Sequence, residues 1–72
     1  MSGPFVLLNR IAYPRGMFEI QHNGIPRSYR DLKSTAYDAA RVGKARCRDE
    51  IIEIVDLETG AKVVMLEDGR TA

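Results

Sequence analysis

The side chains whose types and spacing best suit chemistry form a basic stripe between residues 33 and 48. Its members fall within about 80° of one another when residues are placed at 100° intervals on a helical wheel. They are Lys33, Tyr37, Arg41, Lys44 and Arg48. Arg27 and Arg30 precede the stripe and extend its positive charge. Because cations can contact phosphates while an aromatic ring stacks on a base, the stripe is a candidate contact for nucleic acid or another acidic partner.

The same stripe also fits an ordinary solvated helix face, since Lys and Arg carry long stems with hydrated heads. Residues 1–48 hold nine basic and three acidic side chains, whereas residues 49–72 hold two and seven. The acidic part can therefore neutralise the stripe within the chain, at about 0–1 kcal/mol per exposed pair. The sequence pI of 7.9 is also below the value of about 9 that marks many nucleic-acid-binding domains. We favour the solvated face and keep nucleic-acid binding as the alternative.

Two reactive side chains, His22 and Cys47, occur once each. His22 adjoins a turn and has no Ser, Cys or Asp partner nearby in the sequence, so we expect an exposed turn residue rather than a general base. Cys47 lies near a helix C-terminus, where the negative end of the dipole disfavours a thiolate, and we expect a small buried apolar residue. A structural zinc site needs about four Cys or His ligands. We therefore predict no metal and no cofactor.

Catalysis finds no other support in the sequence. Carboxylates crowd the last third of the chain, but acid–base work needs them to converge in a cleft, and a domain this small offers little cleft. The glycines stand singly and form no phosphate-binding loop. We predict that the protein is not an enzyme and has no small-molecule substrate.

The stretch "MFEIQHNGIPRSYR" predicts a first β-hairpin, because Asn23 and Gly24 both tolerate the positive φ of a type I′ turn. A two-residue loop there predicts three directly opposite pairs: His22–Ile25, Ile20–Arg27 and Phe18–Tyr29. Alternation then predicts one face with Phe18, Ile20, Ile25 and Tyr29, and the other with Met17, Glu19, Gln21, Ser28 and Arg30. Pro26 has no N–H group, which favours either an edge position for the second strand or a proline nitrogen that points away from the ladder.

A helix is predicted from about Ser34 or Thr35 to Cys47, with Asp31, Ser34 and Thr35 as candidate N-caps. The side predicted to pack on the sheet is mostly small: Leu32, Ala36, Ala39, Ala40, Gly43 and Cys47. Asp38 is predicted on the far side of the helix from the basic stripe.

The stretch "EIIEIVDLETGAKVVMLE" predicts a second hairpin, with β-branched strands and Gly60 in its turn. The fold class is therefore α+β, in the order β-β-α-β-β, with one helix packed on one face of a small, mainly antiparallel sheet. Residues 17–68 form this domain, residues 1–16 add an N-terminal strand or arm, and residues 69–72 are expected to fray.

The segments "MFEIQHNGIPRSY", "TAYDAARVGKA" and "EIIEIVDLETG" together resemble small uncharacterised bacterial proteins of ββαββ type. The resemblance covers residues 17–66 and lies mainly in turn residues and strand patterns. It implies the same fold, and it implies no activity that can be transferred to this chain.

The length of 72 residues allows one domain with a marginal core, which a partner chain commonly stabilises. One row of Ile and Val side chains in the second hairpin must face away from the helix, and such a row favours a cover by the N-terminal segment or by a second subunit. We therefore predict a small non-catalytic interaction module that forms a homodimer. One unpaired cysteine favours a reducing compartment, here the cytoplasm. No secretory signal and no membrane-spanning run of about 18 apolar residues is recognisable.

Overall fold

Two hairpins flank one helix between residues 17 and 72, the part of the chain that the computed structural model describes. The elements are β1 (Phe18–His22), β2 (Ile25–Arg30), α1 (Lys33–Arg46), β3 (Ile52–Asp56) and β4 (Lys62–Met65). The predicted α+β class and the ββαββ order are confirmed. The predicted N-terminal strand or arm, residues 1–16, lies outside the described residues.

The four strands form one sheet in the order β2-β1-β3-β4, and every neighbouring pair is antiparallel. The two hairpins therefore meet at the centre of the sheet, where His22 of β1 lies opposite Ile52 of β3. Asn23 (φ 54°) and Gly24 (φ 82°) both have positive φ. This confirms the predicted type I′ turn, whose backbone twist matches that of the flanking strands.

The register of the first hairpin differs from the prediction beyond its turn. His22 does lie opposite Ile25, but two pairs were wrong: Ile20 faces Ser28 and Phe18 faces Arg30. The ladder shifts between Ile20 and Gln21, where Arg27 is an extra residue in β2. Such a bulge is a usual place for proline in a strand, because Pro26 cannot donate to the ladder.

The bulge reverses the predicted faces of β2 for the residues that follow Arg27. Tyr29 lies opposite Glu19 on the open face of the sheet, whereas Ser28 and Arg30 lie on the face that α1 covers. The prediction failed because a single inserted residue moves every later side chain to the other side of a strand.

Helix α1 packs across the sheet and buries a small apolar core. The buried residues are Ile20, Ile52, Ile54, Met65, Ala36 and Ala40, and within residues 17–72 no buried residue is polar or charged. The alternation of the second hairpin, which the sequence left open, is thus settled: Ile52 and Ile54 face the helix. The small residues of α1 let its backbone approach the sheet closely, as predicted for Ala36 and Ala40.

The helix termini differ from the prediction. Leu32 occupies the N-cap position without a side-chain cap, so the N-cap predictions for Asp31, Ser34 and Thr35 were wrong. The Thr35 hydroxyl instead donates to the Leu32 carbonyl at 3.0 Å. Leu32 was expected on the sheet but is 62% exposed. The helix ends at Arg46, so Cys47 follows it as the C-cap.

The predicted fraying of residues 69–72 is contradicted by backbone hydrogen bonds. Val64 and Ala72 donate to each other's carbonyls at 2.9 Å in both directions, and Thr71 pairs with Met65. The final residues therefore turn back and run beside β4. They give the outer side of β4 a partner that the sequence pattern did not indicate.

Within residues 17–72, no helix is long and apolar enough to cross a membrane.

Candidate functional site

The basic stripe lies on the side of α1 that faces β4, and two of its cations are bonded within the chain. Arg41 donates from Nε to the Gly69 carbonyl at 3.0 Å and from Nη1 to Asp38 Oδ1 at 2.9 Å. The prediction that Asp38 lies on the far side of the helix from the stripe was therefore wrong for Arg41. Residues three apart are neighbours on a helix surface. Arg41 joins α1 to the C-terminal turn.

Lys44 closes the loop that follows the helix. Its Nζ donates to the carbonyl of Arg48 at 3.0 Å and to the carbonyl of Glu50 at 2.8 Å. A lysine near a helix C-terminus is well placed to bond carbonyls that have no partner in the helix. The Lys44 ammonium therefore has a structural role in holding residues 48–50.

Tyr37, the aromatic member of the stripe, is half-buried and packs against the core. The ammonium of Lys33 lies 5.5 Å from the centre of the Tyr37 ring, within the range of a cation–π contact. The Tyr37 ring is therefore engaged by the core and by Lys33, which reduces its availability for stacking on a base.

The remaining predicted contact residues do not join the stripe in one patch. Arg48 is exposed but lies beyond the end of the helix. Arg27 and Arg30 are exposed on β2, which is one edge strand of the sheet. Arg41 is bonded beside β4, which is the other edge strand. Arg30 Nη1 donates to the neighbouring Tyr29 carbonyl at 2.7 Å. The structure thus distributes the seven predicted residues over two sides of the molecule.

A different set of side chains converges at the other end of the fold. Donor atoms of His22, Cys47 and Glu50 all lie within 4.8 Å of one another, and His22 Nδ1 is 2.8 Å from Glu50 Oε1. His22 ends β1, Cys47 caps α1 and Glu50 precedes β3. We call these three residues the His–Cys–Glu cluster. Imidazole, thiol and carboxylate together can bind a metal ion or carry out proton transfer.

The backbone around the cluster fixes its geometry. Gly43 faces the His22 ring: a Cβ built at residue 43 would lie 3.3 Å from Cε1 and from Nε2 of the imidazole. Asn23 N donates to the Ile51 carbonyl at 2.8 Å, and Ile51 N donates to Asn23 Oδ1 at 2.9 Å. These bonds hold the residue after His22 against the residue after Glu50.

Sequence reasoning missed this cluster. His22 was expected to be an exposed turn residue, but its side chain is 19% exposed and bonded to Glu50. Cys47 was expected to be buried and is half-buried instead. The pairing of β1 with β3 brings His22 to the loop after the helix, and that long-range contact has no local signature. The sequence did offer one signal: Cys47 and Glu50 are three residues apart, and the chain has a single histidine, His22.

The flank of α1 on the β2 side is apolar and exposed. Val42 is 52% exposed and lies on the same side of the helix as the half-buried Ala39, three residues earlier. Leu32, the N-cap residue of the helix, is 62% exposed. Ile25 is 55% exposed and lies opposite His22, so its side chain is on the face of the sheet that the helix covers. The residues that form this "β2 flank" are Ile25, Leu32, Thr35, Ala39, Val42 and Arg46.

Comparison of the chain with protein-family models, with curated proteins and with solved structures finds no match. The resemblance to small bacterial ββαββ proteins therefore stays a prediction.

Proposed function

We propose that this protein is a small non-catalytic interaction module that forms a homodimer through the β2 flank. The observation that carries the proposal is the exposure of three large apolar side chains, Ile25, Leu32 and Val42, which belong to β2, to the N-cap of α1 and to α1 itself. The buried core that α1 and the sheet share is small, and two of its members are alanines. Burial of the flank adds apolar area that such a core lacks, at about 25 cal/mol per Å².

The pattern of the flank is self-complementary under a two-fold axis, which is the usual symmetry of a homodimer. Two antiparallel copies of α1 that cross at Ala39 approach closely, because alanine is small. Val42 then packs beside Thr35 of the second copy, and Leu32 packs on the aliphatic stem of the second copy's Arg46. The same arrangement places Asp31 near that Arg46 and sets the two helix dipoles antiparallel, so the charges also match.

The sheet edges support a helix-mediated contact rather than a strand-mediated one. The edge strand β2 carries Pro26 and the bulge at Arg27, and β4 is partnered by residues 71 and 72. Both features disfavour addition of a strand from a second chain. These features favour pairing through a surface other than a strand edge, and the β2 flank is such a surface.

Nucleic-acid binding through the basic stripe has weaker support. Arg41 and Lys44 already donate to carbonyl oxygens of the chain, and a phosphate would have to compete with those bonds. For the location of the protein we propose the cytoplasm, on the ground of its single free cysteine.

Sedimentation equilibrium of the full chain at micromolar concentration tests the dimer. We expect a dimer for the natural sequence and a monomer for the variant Leu32→Glu/Val42→Glu, because two buried carboxylates per copy oppose association. The matched control is Ile51→Glu. Ile51 is 56% exposed but precedes the buried Ile52, so it points to the opposite face. This control should remain a dimer.

A natural chain that is monomeric at this concentration would overturn the proposal. So would a control variant that dissociates as readily as the flank variant. If removal of residues 1–16 yields a monomer while the flank variant stays dimeric, the contact belongs to the N-terminal segment and the β2 flank is excluded.

A further inference from the structure

We infer that the His–Cys–Glu cluster is a binding site for a divalent transition-metal ion, and that Zn²⁺ fits its donors best. The three side chains offer one imidazole nitrogen, one sulfur and one carboxylate oxygen. Thiolate selects for zinc and against magnesium and calcium, which prefer oxygen donors throughout. Imidazole and carboxylate are both ordinary zinc ligands.

The separation of the donor atoms is close to what zinc requires. Zinc–ligand distances of about 2.0–2.3 Å in a tetrahedron place neighbouring donor atoms about 3.3–3.8 Å apart. The donor atoms of the cluster lie within 4.8 Å of one another. The contact between His22 Nδ1 and Glu50 Oε1 is 2.8 Å long, so these two atoms have to separate slightly to admit the ion.

Apart from the contact between His22 and Glu50, the bonds described around the cluster hold the donors in place without using their ligand atoms. Lys44 bonds the carbonyl of Glu50 rather than its carboxylate, and the amide of Glu50 donates to the Cys47 carbonyl at 3.0 Å. Cys47 and Glu50 are therefore fixed in one turn. Gly43 leaves room for the imidazole ring. A site whose donors stand on rigid elements binds with little reorganisation.

A structural ion pair accounts for only part of this arrangement. The contact between His22 and Glu50 satisfies both polar side chains, but it does not require a thiol beside them. The chain's single cysteine and single histidine, 25 positions apart in the sequence, meet at one point. A metal ion that joins them also links the end of β1 to the loop before β3, and such a link stabilises a small domain.

Three protein donors leave the fourth tetrahedral position of zinc open. Structural zinc sites usually have four protein ligands, whereas three ligands are typical of sites that keep a water or an external ligand. The fourth ligand here is therefore water or a donor from a bound partner. This inference does not depend on the dimer proposed above, because all three donors belong to one chain.

Titration of the reduced, metal-free protein with Co²⁺ is the most direct test, because cobalt substitutes for zinc and is coloured. We expect one Co²⁺ per chain, a near-ultraviolet thiolate-to-cobalt charge-transfer band, and visible bands of tetrahedral intensity. Zn²⁺ should displace the cobalt and raise the melting temperature of the protein.

Cys47→Ser should abolish the charge-transfer band and weaken Zn²⁺ binding at least about tenfold, since loss of even an outer-shell group often costs that much. Glu50→Gln should weaken binding while the thiolate band remains. Asp49→Asn is the matched control, because Asp49 is an exposed carboxylate next to Glu50 that is outside the cluster. It should bind as the natural protein does.

The inference is overturned if the natural protein shows no thiolate band at stoichiometric cobalt. It is equally overturned if Cys47→Ser, with an unchanged circular dichroism spectrum, binds Zn²⁺ as tightly as the natural protein. Weakening by Asp49→Asn to the same degree as by Glu50→Gln would place the ion elsewhere on the acidic surface.

Discussion

The imidazole of His22 lies directly against the backbone of Gly43, with a built Cβ at residue 43 only 3.3 Å from two ring atoms. This contact explains why a glycine stands inside α1, where it costs about 1 kcal/mol relative to alanine. A side chain at residue 43 would press on the His22 ring, and this steric conflict offsets the gain in helix propensity that alanine would bring. A side chain of β1 thus determines which residue fits one position of the helix.

A double-mutant cycle should measure this contact. In a His22→Ala background, Gly43→Ala should stabilise the protein by about 0.5–1 kcal/mol, because only the helix propensity changes. In the natural background the gain should vanish or reverse, since the new methyl group must displace the ring. Urea unfolding of the four proteins gives the coupling free energy. Equal effects of Gly43→Ala in both backgrounds would refute the interpretation.

Lys44 should stabilise the fold through its two hydrogen bonds rather than through its positive charge. Lys44→Ala leaves the Arg48 and Glu50 carbonyls without their donor, and we expect a loss of about 1–2 kcal/mol in the free energy of unfolding. Arg48→Ala is the control: it removes the same charge from the same helix end, but Lys44 bonds the backbone of Arg48. The control should cost less than about 0.5 kcal/mol. Similar losses for both variants would mean that charge, not the hydrogen bonds, is what matters.

The pKa of Asp68 should lie below the ordinary value of 3.8, because the backbone N–H of Arg70 and then its guanidinium donate to the carboxylate. Since the pKa is lowered on folding, this group favours the folded state above its unfolded pKa, and the contribution is lost as pH falls through the folded pKa. Arg70→Ala removes the weaker of the two donors and should raise the pKa part of the way. Arg27→Ala, on the far edge strand, should leave it unchanged. Carbon-detected NMR titration measures the pKa directly, and an unchanged value in Arg70→Ala would contradict the assignment.

The features that could be predicted from the sequence are those determined by neighbouring residues. The turn at Asn23 and Gly24 depends on two adjacent residues that accept positive φ, and the structure has it as predicted. The existence of α1 depends on composition over a 14-residue span, and it too is confirmed. The predicted register beyond Pro26 was wrong, because the bulge at Arg27 depends on how β2 pairs with β1 and not on neighbouring residues alone.

The His–Cys–Glu cluster could not be predicted for the opposite reason. Its donors come from the ends of three elements, and only the pairing of β1 with β3 brings His22 beside Glu50. The basic stripe shows a different limit of sequence reasoning. Spacing on a wheel shows which side chains are neighbours, but it does not show that Arg41 reaches the Gly69 carbonyl.

The return of residues 69–72 along β4 has a consequence for the behaviour of the protein at high concentration. Small sheets with long open edges recruit identical strands and grow into fibrils. Here the backbone of Val64 is bonded in both directions to Ala72, and the outer strand at the other edge is interrupted at Pro26. Neither side offers an unbroken template for cross-β growth. Although the core is small, neither edge strand of the sheet is thus open to a second chain along its whole length, because residues 71 and 72 cover part of β4 and the bulge interrupts β2.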